Sequence, residues 1–551
     1  MLKGYQYFTK LLKEYGSTHI FYQSAILWKG IKEASKSGIK CVRAHSETAA
    51  GYMADGYARI TKRPGICAVQ SIGSANLVAG IHDAWLATTP VIALTGRRTA
   101  AFQDRNTYQE SDHKALFSGV TKYNSDVADP QEFPFILRQC FREAVTGKPR
   151  PVHMDLLGCN AEILEDADIK EPFFADNVFG KYPPFRPSAD KSMVNGAAAA
   201  INAAQKPLII AGRGANISEA GQAIYELAQK ADIPVATTVD GKTIIDEDDP
   251  LWAGILGFYG MWCTNKAAKE SDLVILIGSK TSDQTTLSWQ APQREKRVIQ
   301  IDIAGDELGR NYPNATCLQG DARMVVEQLT QAIDEKKRDA WRRQVTGYIS
   351  GYLSEQSAIG KDDAEPISTA YLCKELSKLL PDDVIFVSDT GYSAIWSATT
   401  IRMKCTQDFI RTSGTLGWSF PASLGVKCGA PGRPVVCFLG DGAFYYHLQE
   451  VETAVRNNIK TVTIINNNMM FTQNYHETIE SIFSNDEQKA KESVGFSDVN
   501  FAAIAENFGA LGIRVEKPEE LRPAIERALA SDRVTVLDVR TGTDVNPISS
   551  L

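Results

Sequence analysis

Two runs decide the fold: PVVCFLGDG at residues 434–442 and TVTIINNN at residues 461–468. Each is a short apolar stretch, rich in β-branched residues, that ends in polar turn-forming residues. Such runs predict strands buried on both faces of a parallel sheet. The first strand delivers Asp441 between Gly440 and Gly442, and the second delivers Asn466, Asn467 and Asn468. A carboxylate and amide oxygens at strand tips are hard ligands suited to Mg2+, which keeps octahedral oxygen coordination and binds well beside phosphate. The glycines let the backbone approach a diphosphate. The next segment, AFYYHLQEVETAVRN, has helical apolar spacing and would turn its N-terminus toward the same anion. GDG alone is a common turn; joined to a second, asparagine-rich strand end it predicts a metal–diphosphate site.

Working outward, the same strand–loop–helix rhythm covers the chain. At 551 residues the chain exceeds one core, and the rhythm predicts an α/β protein of three doubly wound parallel-sheet domains. The first domain is placed at 1–165, with strands at 19–22, 41–47, 66–71, 91–96 and 151–156. An acidic, aromatic and proline-rich linker follows, EDADIKEPFFADNVFGKYPPFRPSAD. The central, Rossmann-like domain is placed at 190–335, with strands in PLIIAGRGAN, LVILIGSK and VIQIDI. The last domain, 365–551, holds VIFVSDTG, the two opening runs and VTVLDV. The first and last blocks match in size and strand count, which suggests structural repeats that their sequences do not show.

The composition, 44% hydrophobic and 23% charged, is that of a globular protein. A net charge of −7 without basic blocks argues against nucleic acid or anionic membrane as partner. No apolar run approaches a membrane span, and the start MLKGYQYFTKLLKEYG carries no signal-like core. Ten cysteines include no CxxC pair, and Cys67 and Cys437 sit in apolar strand runs as buried free thiols. A reducing cytoplasm is the expected location.

Two further elements carry chemistry. Glu47 ends the strand CVRAHSE and opens the small-residue helix TAAGYMADGYAR. A carboxyl group buried among Ala and Gly would share a proton with a heteroaromatic nitrogen. Taken alone, such a residue is more often an acid favoured by a helix N-terminus. In SGTLGWSFPASLG, residues 413–425, Gly414 and Gly417 flank Leu416, a bulky side chain able to wedge a bent two-ring cofactor. A metal-held diphosphate, an acid for a ring nitrogen and an apolar wedge together point to thiamine diphosphate.

On these residues the chain resembles the thiamine-diphosphate-dependent family of acetolactate synthase, pyruvate oxidase and the 2-oxo acid decarboxylases. HSETAAGYMADGYAR, NLVAGIHDAW, TYQES with VTK, PLIIAGRGAN, QIDIAGDELGRN, SDTG, GTLGWSFPASLG and GDGAFYYHLQE with INNN carry the resemblance. It implies a pyrimidine-binding first domain and a diphosphate- and Mg2+-binding last domain. Glu47 is then the activating acid, Asp441 and Asn468 are metal ligands, and the Met470 carbonyl completes the set. Leu416 is the wedge, and the Gly414 carbonyl accepts from the aminopyrimidine. Gly391, Tyr392, Gly442 and Ala443 lie at the diphosphate. The resemblance further implies that two subunits build each site, Glu47 reaching the partner's cofactor, so a homodimer or homotetramer is expected.

On the substrate side the resemblance places Gln109 and Lys122 near the active centre. His113, four residues after Gln109, reads as a loop imidazole able to trade protons with a carbonyl intermediate. Departures stand beside these matches. The Pro-Gly-Gly loop of acetolactate synthases is replaced by FYQSAILW, where Gln23 and Ser24 offer polar contacts. Their usual tryptophan after the metal ligands is replaced by NYHET, with His476 and Glu477. In the central domain GRGAN and GFYGM resemble flavin-touching segments, yet SKTSDQ stands where relatives place an arginine, so FAD is the disfavoured alternative to a purely structural domain. The expected activity is carbon–carbon bond formation by an acetolactate-synthase-like carboligase on 2-oxo acids or ketols. The alternatives are a 2-oxo acid decarboxylase or a C–C lyase or hydrolase on a more polar ketone, and, in a different class, a catalytically silent cofactor-binding paralogue.

Overall fold

The structure, a computed structural model, describes residues 1–360 and 363–543. Its eighteen main strands form three six-stranded sheets, all parallel. The first sheet contains β1 (His19–Tyr22), β2 (Lys40–Arg43), β3 (Gly65–Val69), β4 (Val91–Arg97), β5 (Tyr123–Asp126) and β6 (Val152–Leu157). The central sheet contains β7 (Pro207–Ala211), β8 (Val235–Thr237), β9 (Trp252–Ile255), β10 (Leu273–Ile277), β11 (Val298–Asp302) and β12 (Thr316–Gln319). The last contains β13 (Ile385–Ser388), β14 (Asp408–Arg411), β15 (Val435–Gly440), β16 (Val462–Asn467), β17 (Leu511–Val515) and β18 (Thr535–Arg540).

The strand orders are β2-β1-β3-β4-β6-β5, β9-β8-β7-β10-β11-β12 and β14-β13-β15-β16-β18-β17. The first and last sheets therefore share one topology. The central sheet has the 3-2-1-4-5-6 order of dinucleotide-binding folds. Interior strands such as β4, β10 and β16 are apolar runs because helices cover both of their faces. The strands with no apolar run in the sequence are mainly sheet edges: β5, β9, β12, β14 and β17. The short interior β8, three residues long, was equally silent. Among the described residues no helix is long and apolar enough to cross a membrane.

Two helices join the first and last domains within one chain. Helix α1 (Glu47–Thr61) links β2 to β3, α2 (Ser74–Leu86) follows β3, and α3 (Ser419–Gly429) links β14 to β15. Ser46 caps α1 by accepting from the Ala49 amide at 3.1 Å. Glycine allows close approach on both sides of α1. A Cβ on Gly51 would meet the Gly80 carbonyl of α2 at 2.7 Å, and one on Gly56 would meet the Ala422 oxygen of α3 at 2.1 Å. In return, a Cβ on Gly425 would lie 1.8 Å from the Met53 oxygen. Gly56 stands to Gly425 as Met53 stands to Ala422, each pair 369 positions apart (425 − 56 and 422 − 53), so the two contacts are reciprocal and α1 and α3 meet as equivalent elements of the two repeats.

Candidate active site

In open parallel sheets, ligands bind beyond the carboxyl ends of the strands, where the strand order reverses. In the last domain that place lies between β13 and β15, and a crevice of about 180 Å3 opens there. Gly391 and Tyr392 follow β13, Asp441, Gly442 and Ala443 stand at the tip of β15, and Asn468 and Met470 follow β16; all of them line it, with Leu416. Gly391 takes φ 69° and Gly414 takes φ 140°, backbone that favours glycine, and open space surrounds the place of a Cβ on Gly414.

Asp441 is 2% exposed. Its Oδ1 accepts from the Gly442 amide at 2.7 Å, while its buried Oδ2 has no partner among the described residues. Burial pushes this carboxyl up to about 7, against the Gly442, Met469 and Met470 amides. A buried oxygen left unpaired costs free energy unless a ligand completes it. The three asparagines divide their work. Asn467 is structural, donating to Asp538 at 2.8 Å and accepting from Arg540 at 3.1 Å. Asn466 accepts from Thr369 Oγ1 at 3.2 Å. Asn468 donates to Thr472 Oγ1 at 2.6 Å, which leaves its amide oxygen for another partner beside Asp441. This donor set of carboxylate, amide and carbonyl oxygens fits Mg2+ with a diphosphate. Among the described residues no cluster of three His, Cys, Asp or Glu side chains offers a competing metal site.

A second group gathers at the carboxyl ends of the first sheet. Glu47 opens α1, is half-buried rather than buried in the single chain, and accepts from Asn76 Nδ2 at 3.1 Å. It packs so closely on Gly73 that a Cβ there would meet its Cγ at 2.7 Å. Gln23 follows β1 and donates to the His45 carbonyl at 3.0 Å; Ser24, next to it, is exposed. Gln109, at φ 62°, accepts through its carbonyl from Ser71 Oγ at 2.7 Å. Glu47 does not line the Asp441 crevice of its own chain. By the offset that relates Gly56 to Gly425, Glu47 corresponds in number to Leu416 (416 − 47), although it starts α1 while Leu416 lies in the loop before α3.

Two expectations need correction. His113 is not on an open loop: it starts the short helix His113–Phe117 and is 2% exposed. Its Nδ1 lies 2.7 Å from Asp155 Oδ1 and its Nε2 3.4 Å from Ser71 Oγ, so both ring nitrogens are engaged internally. Lys122 turns away from both groups, donating to the carbonyls of Thr146 and Lys148. His476 and Glu477 lie on the helix Thr472–Thr478. The His476 ring stands 5.9 Å from that of Tyr392 and bonds the Thr543 carbonyl at 3.0 Å, while Glu477 accepts from Gln473 at 2.8 Å. From this helix it is Thr472, Gln473 and Asn474 that line the crevice.

Sequence reasoning missed the residues that hold the Leu416 loop. Asp389, fully buried after β13, accepts from the Gly417 and Ser419 amides at 3.1 and 2.9 Å. Burial raises its carboxyl, against these hydrogen bonds. Asp83 of α2 grips the other end of the loop. Both lie inside the quoted stretches SDTG and NLVAGIHDAW; for Asp389 an acid between Ser388 and Thr390 was the available signal, and for Asp83 an acid in a mainly apolar helical run.

Thiamine pyrophosphate enzyme domain models match the chain three times: the N-terminal TPP binding domain over residues 2–116, the central domain over 194–329 and the C-terminal TPP binding domain over 389–539. The probable acetolactate synthase large subunit of Methanocaldococcus jannaschii is 30% identical over 98% of this chain and 92% of its own length. The acetolactate synthase isozyme 2 large subunit of Escherichia coli is 27% identical over 98% of this chain and 95% of its own. The putative thiamine pyrophosphate-containing protein YdaP of Bacillus subtilis is 28% identical, covering 98% and 92%. With all three domain types in order and a relative of this similarity along nearly its whole length, the chain belongs to the thiamine pyrophosphate enzyme family.

Proposed function

We propose that the protein is a thiamine-diphosphate- and Mg2+-dependent carboligase that joins 2-oxo acids, as an acetolactate synthase does. The observation that carries this is Asp441: buried, one oxygen unpaired, beside Asn468 and Met470 at the strand ends of the last sheet. Bound thiamine diphosphate supplies a carbon nucleophile and an electron sink for bonds next to a carbonyl. The chain's residues do the rest. Asp441, Asn468 and the Met470 carbonyl hold the metal, while Gly391, Tyr392, Gly442 and Ala443 bring backbone to the diphosphate. Leu416 fills the space between the cofactor's two rings, and the Gly414 carbonyl accepts from its amino group. Glu47 holds a proton at the pyrimidine nitrogen, and Gln109 stands near the reacting carbonyl.

In this reading residues 1–165 bind the pyrimidine, 365–551 bind the diphosphate, and 190–335 lie between them. Glu47 serves the crevice of a second copy, so the working unit is a homodimer or larger, placed in the cytoplasm. The polar wall, with Gln473 and Asn474 at the crevice and His476 and Glu477 behind them, favours a polar second substrate. That supports the alternative of a decarboxylase or C–C lyase acting on such a ketone. A second cofactor reading rests on the central domain. A cavity of about 650 Å3 opens where its strand order reverses, lined by Gly212, Arg213, Gly214, Gly278 and Lys280. Its size and glycine-lined walls suit a nucleotide such as FAD.

The test is incubation with thiamine diphosphate, Mg2+ and a panel of 2-oxo acids and ketols, read by mass spectrometry. A coupled 2-hydroxy-3-oxo acid with loss of CO2 is expected. Aldehyde alone selects the decarboxylase, and no turnover of any compound sinks the enzymatic reading. A visible absorption spectrum of the purified protein decides the flavin.

A further inference from the structure

The loop Thr412–Ser419, which carries Leu416, is gripped from two domains. Asp83, on α2 of the first domain, accepts at Oδ1 from Thr412 Oγ1 (2.7 Å), the Ser413 amide (2.9 Å) and the Thr415 amide (3.4 Å). Asp389 takes the amides of Gly417 and Ser419 from the other side. The N–H groups at 413, 417 and 419 thus end on two buried carboxylates, and that of Thr415 is shared between Thr412 Oγ1 at 2.8 Å and Asp83 at 3.4 Å.

Asp83 belongs to a larger buried cluster. Arg59 of α1 donates to Asp83 Oδ2 at 2.7 Å and to both oxygens of Asp55 at 2.7 and 2.6 Å. Its remaining nitrogen donates to the Arg411 carbonyl at 2.6 Å, just before the loop. Asp55 accepts from Trp418 Nε1 at 2.9 Å, and the guanidinium lies 4.2 Å over the Trp418 ring. Asp55, Asp83 and Trp418 are 0% exposed and Arg59 is 4% exposed. Two carboxylates share one guanidinium, so the loop's own amides supply the rest of the compensation for Asp83. Moving the loop strands a buried carboxylate, a cost that makes its conformation stiff.

We infer that Asp55, Arg59 and Asp83 are positioning residues that lock the Leu416 loop from the chain's own first domain. They act through Leu416 and the Gly414 carbonyl, and the inference rests on the proposed cofactor site there. Each first domain then serves twice: Asp83 holds the loop of its own chain, while Glu47 serves the partner. Loosening the lock should misplace the wedge without touching the metal ligands.

The test uses full-length protein with thiamine diphosphate and Mg2+. Asp83→Asn removes the charge that Arg59 and the loop amides share, and Thr412→Val keeps that charge but removes the hydroxyl that contacts Asp83 and accepts from the Gly414 and Thr415 amides. Three quantities are read: kcat and KM on the substrate found by the panel, cofactor affinity by calorimetry, and hydrogen exchange of 412–419 by mass spectrometry. The expected result for Asp83→Asn is a kcat reduced about 10-fold or more with KM and cofactor affinity changed far less, since misplacement costs rate before binding. Exchange across 412–419 should rise, and Thr412→Val should lie between wild type and Asp83→Asn. Wild-type kcat and wild-type exchange in both folded variants overturn the inference. If Asp83→Asn does not fold, the Thr412→Val result decides alone. Failure of the wild type to bind thiamine diphosphate defeats the proposed function instead, and the exchange measurement still reports whether Asp83 holds the loop.

Discussion

Gly56 and Gly425 sit opposite each other across the seam between the first and last domains, each against the backbone of the other's helix. The approach leaves no room for a methyl group: 2.1 Å from one site to the Ala422 oxygen and 1.8 Å from the other to the Met53 oxygen. Gly56→Ala or Gly425→Ala must therefore push α1 and α3 apart. Each is expected to destabilise the protein by about 2–4 kcal/mol, the range of severe overpacking. Thermal unfolding measures it; a melting temperature equal to wild type in both variants would contradict the packing.

Asp441 has a different signature, because in the proposed site its buried, unpaired oxygen is completed only when metal and cofactor bind. Asp441→Asn should abolish Mg2+-dependent thiamine diphosphate binding in calorimetry. The same variant should melt no lower than wild type without cofactor, since an unpaired buried carboxylate oxygen is replaced by a neutral group. Retained Mg2+-dependent affinity would reject the metal assignment.

Glu47 and Asp441 lie in different groups within one chain, which invites a mixing experiment. Glu47→Gln alone should lose about 10²-fold or more in kcat, as for removal of a proton-transfer group. Asp441→Ala alone should be inactive. Unfolded together and refolded, the two should regain about a quarter of wild-type activity, because half of the random dimers carry one intact shared site. No recovery, with mixed dimers demonstrated by mass spectrometry, would mean that each site is built from a single chain.

His447 offers a test of pH dependence away from the site. It is 7% exposed, its Nδ1 has no partner among the described residues, and its ring meets Tyr52 edge-on at 5.5 Å. Burial lowers it from 6.5 to about 4. Between those values the unfolded chain binds more protons, so this contribution to stability is complete above pH 6.5 and is lost as pH falls toward 4. Its share of the loss between pH 7 and 5 is about 2 kcal/mol. His19 and His153, each also lowered to about 4 by burial, steepen the same acid limb. His447→Leu should flatten the fall in melting temperature between pH 7 and 5; an unchanged slope would count against the buried neutral ring.

The legibility of the chain followed burial. Interior strands announce themselves because both faces are apolar, as in LVILI of β10 or VVCFLG of β15. Edge strands such as β5, YNSD, are half-solvated along their length and carry no such run. The crevice residues were legible where turn chemistry marks them: glycines at Gly391, Gly414 and Gly442 and the acid at Asp441. Asp83 was not, because its partners at 412, 413 and 415 lie more than three hundred residues away in sequence. His113 was misplaced for the same reason: Asp155 of β6 and Ser71, in the turn after β3, take its ring from elsewhere in the chain.

The sequence alone determined which residues stand at which strand tips, because apolar runs, strand ends and turn glycines are local properties of the chain. From it came three parallel-sheet domains, the strand-tip residues Asp441 and Asn468 proposed to hold the metal and diphosphate, and Glu47 at the start of α1. Only the tertiary structure decided that the first and last domains share one topology, that α1 and α3 meet through Gly56 and Gly425, and that Asp83 reaches across this seam to the Leu416 loop. Such contacts depend on how closely two distant helices approach. That distance is fixed by what lies on both sides of it, and no window of sequence contains both.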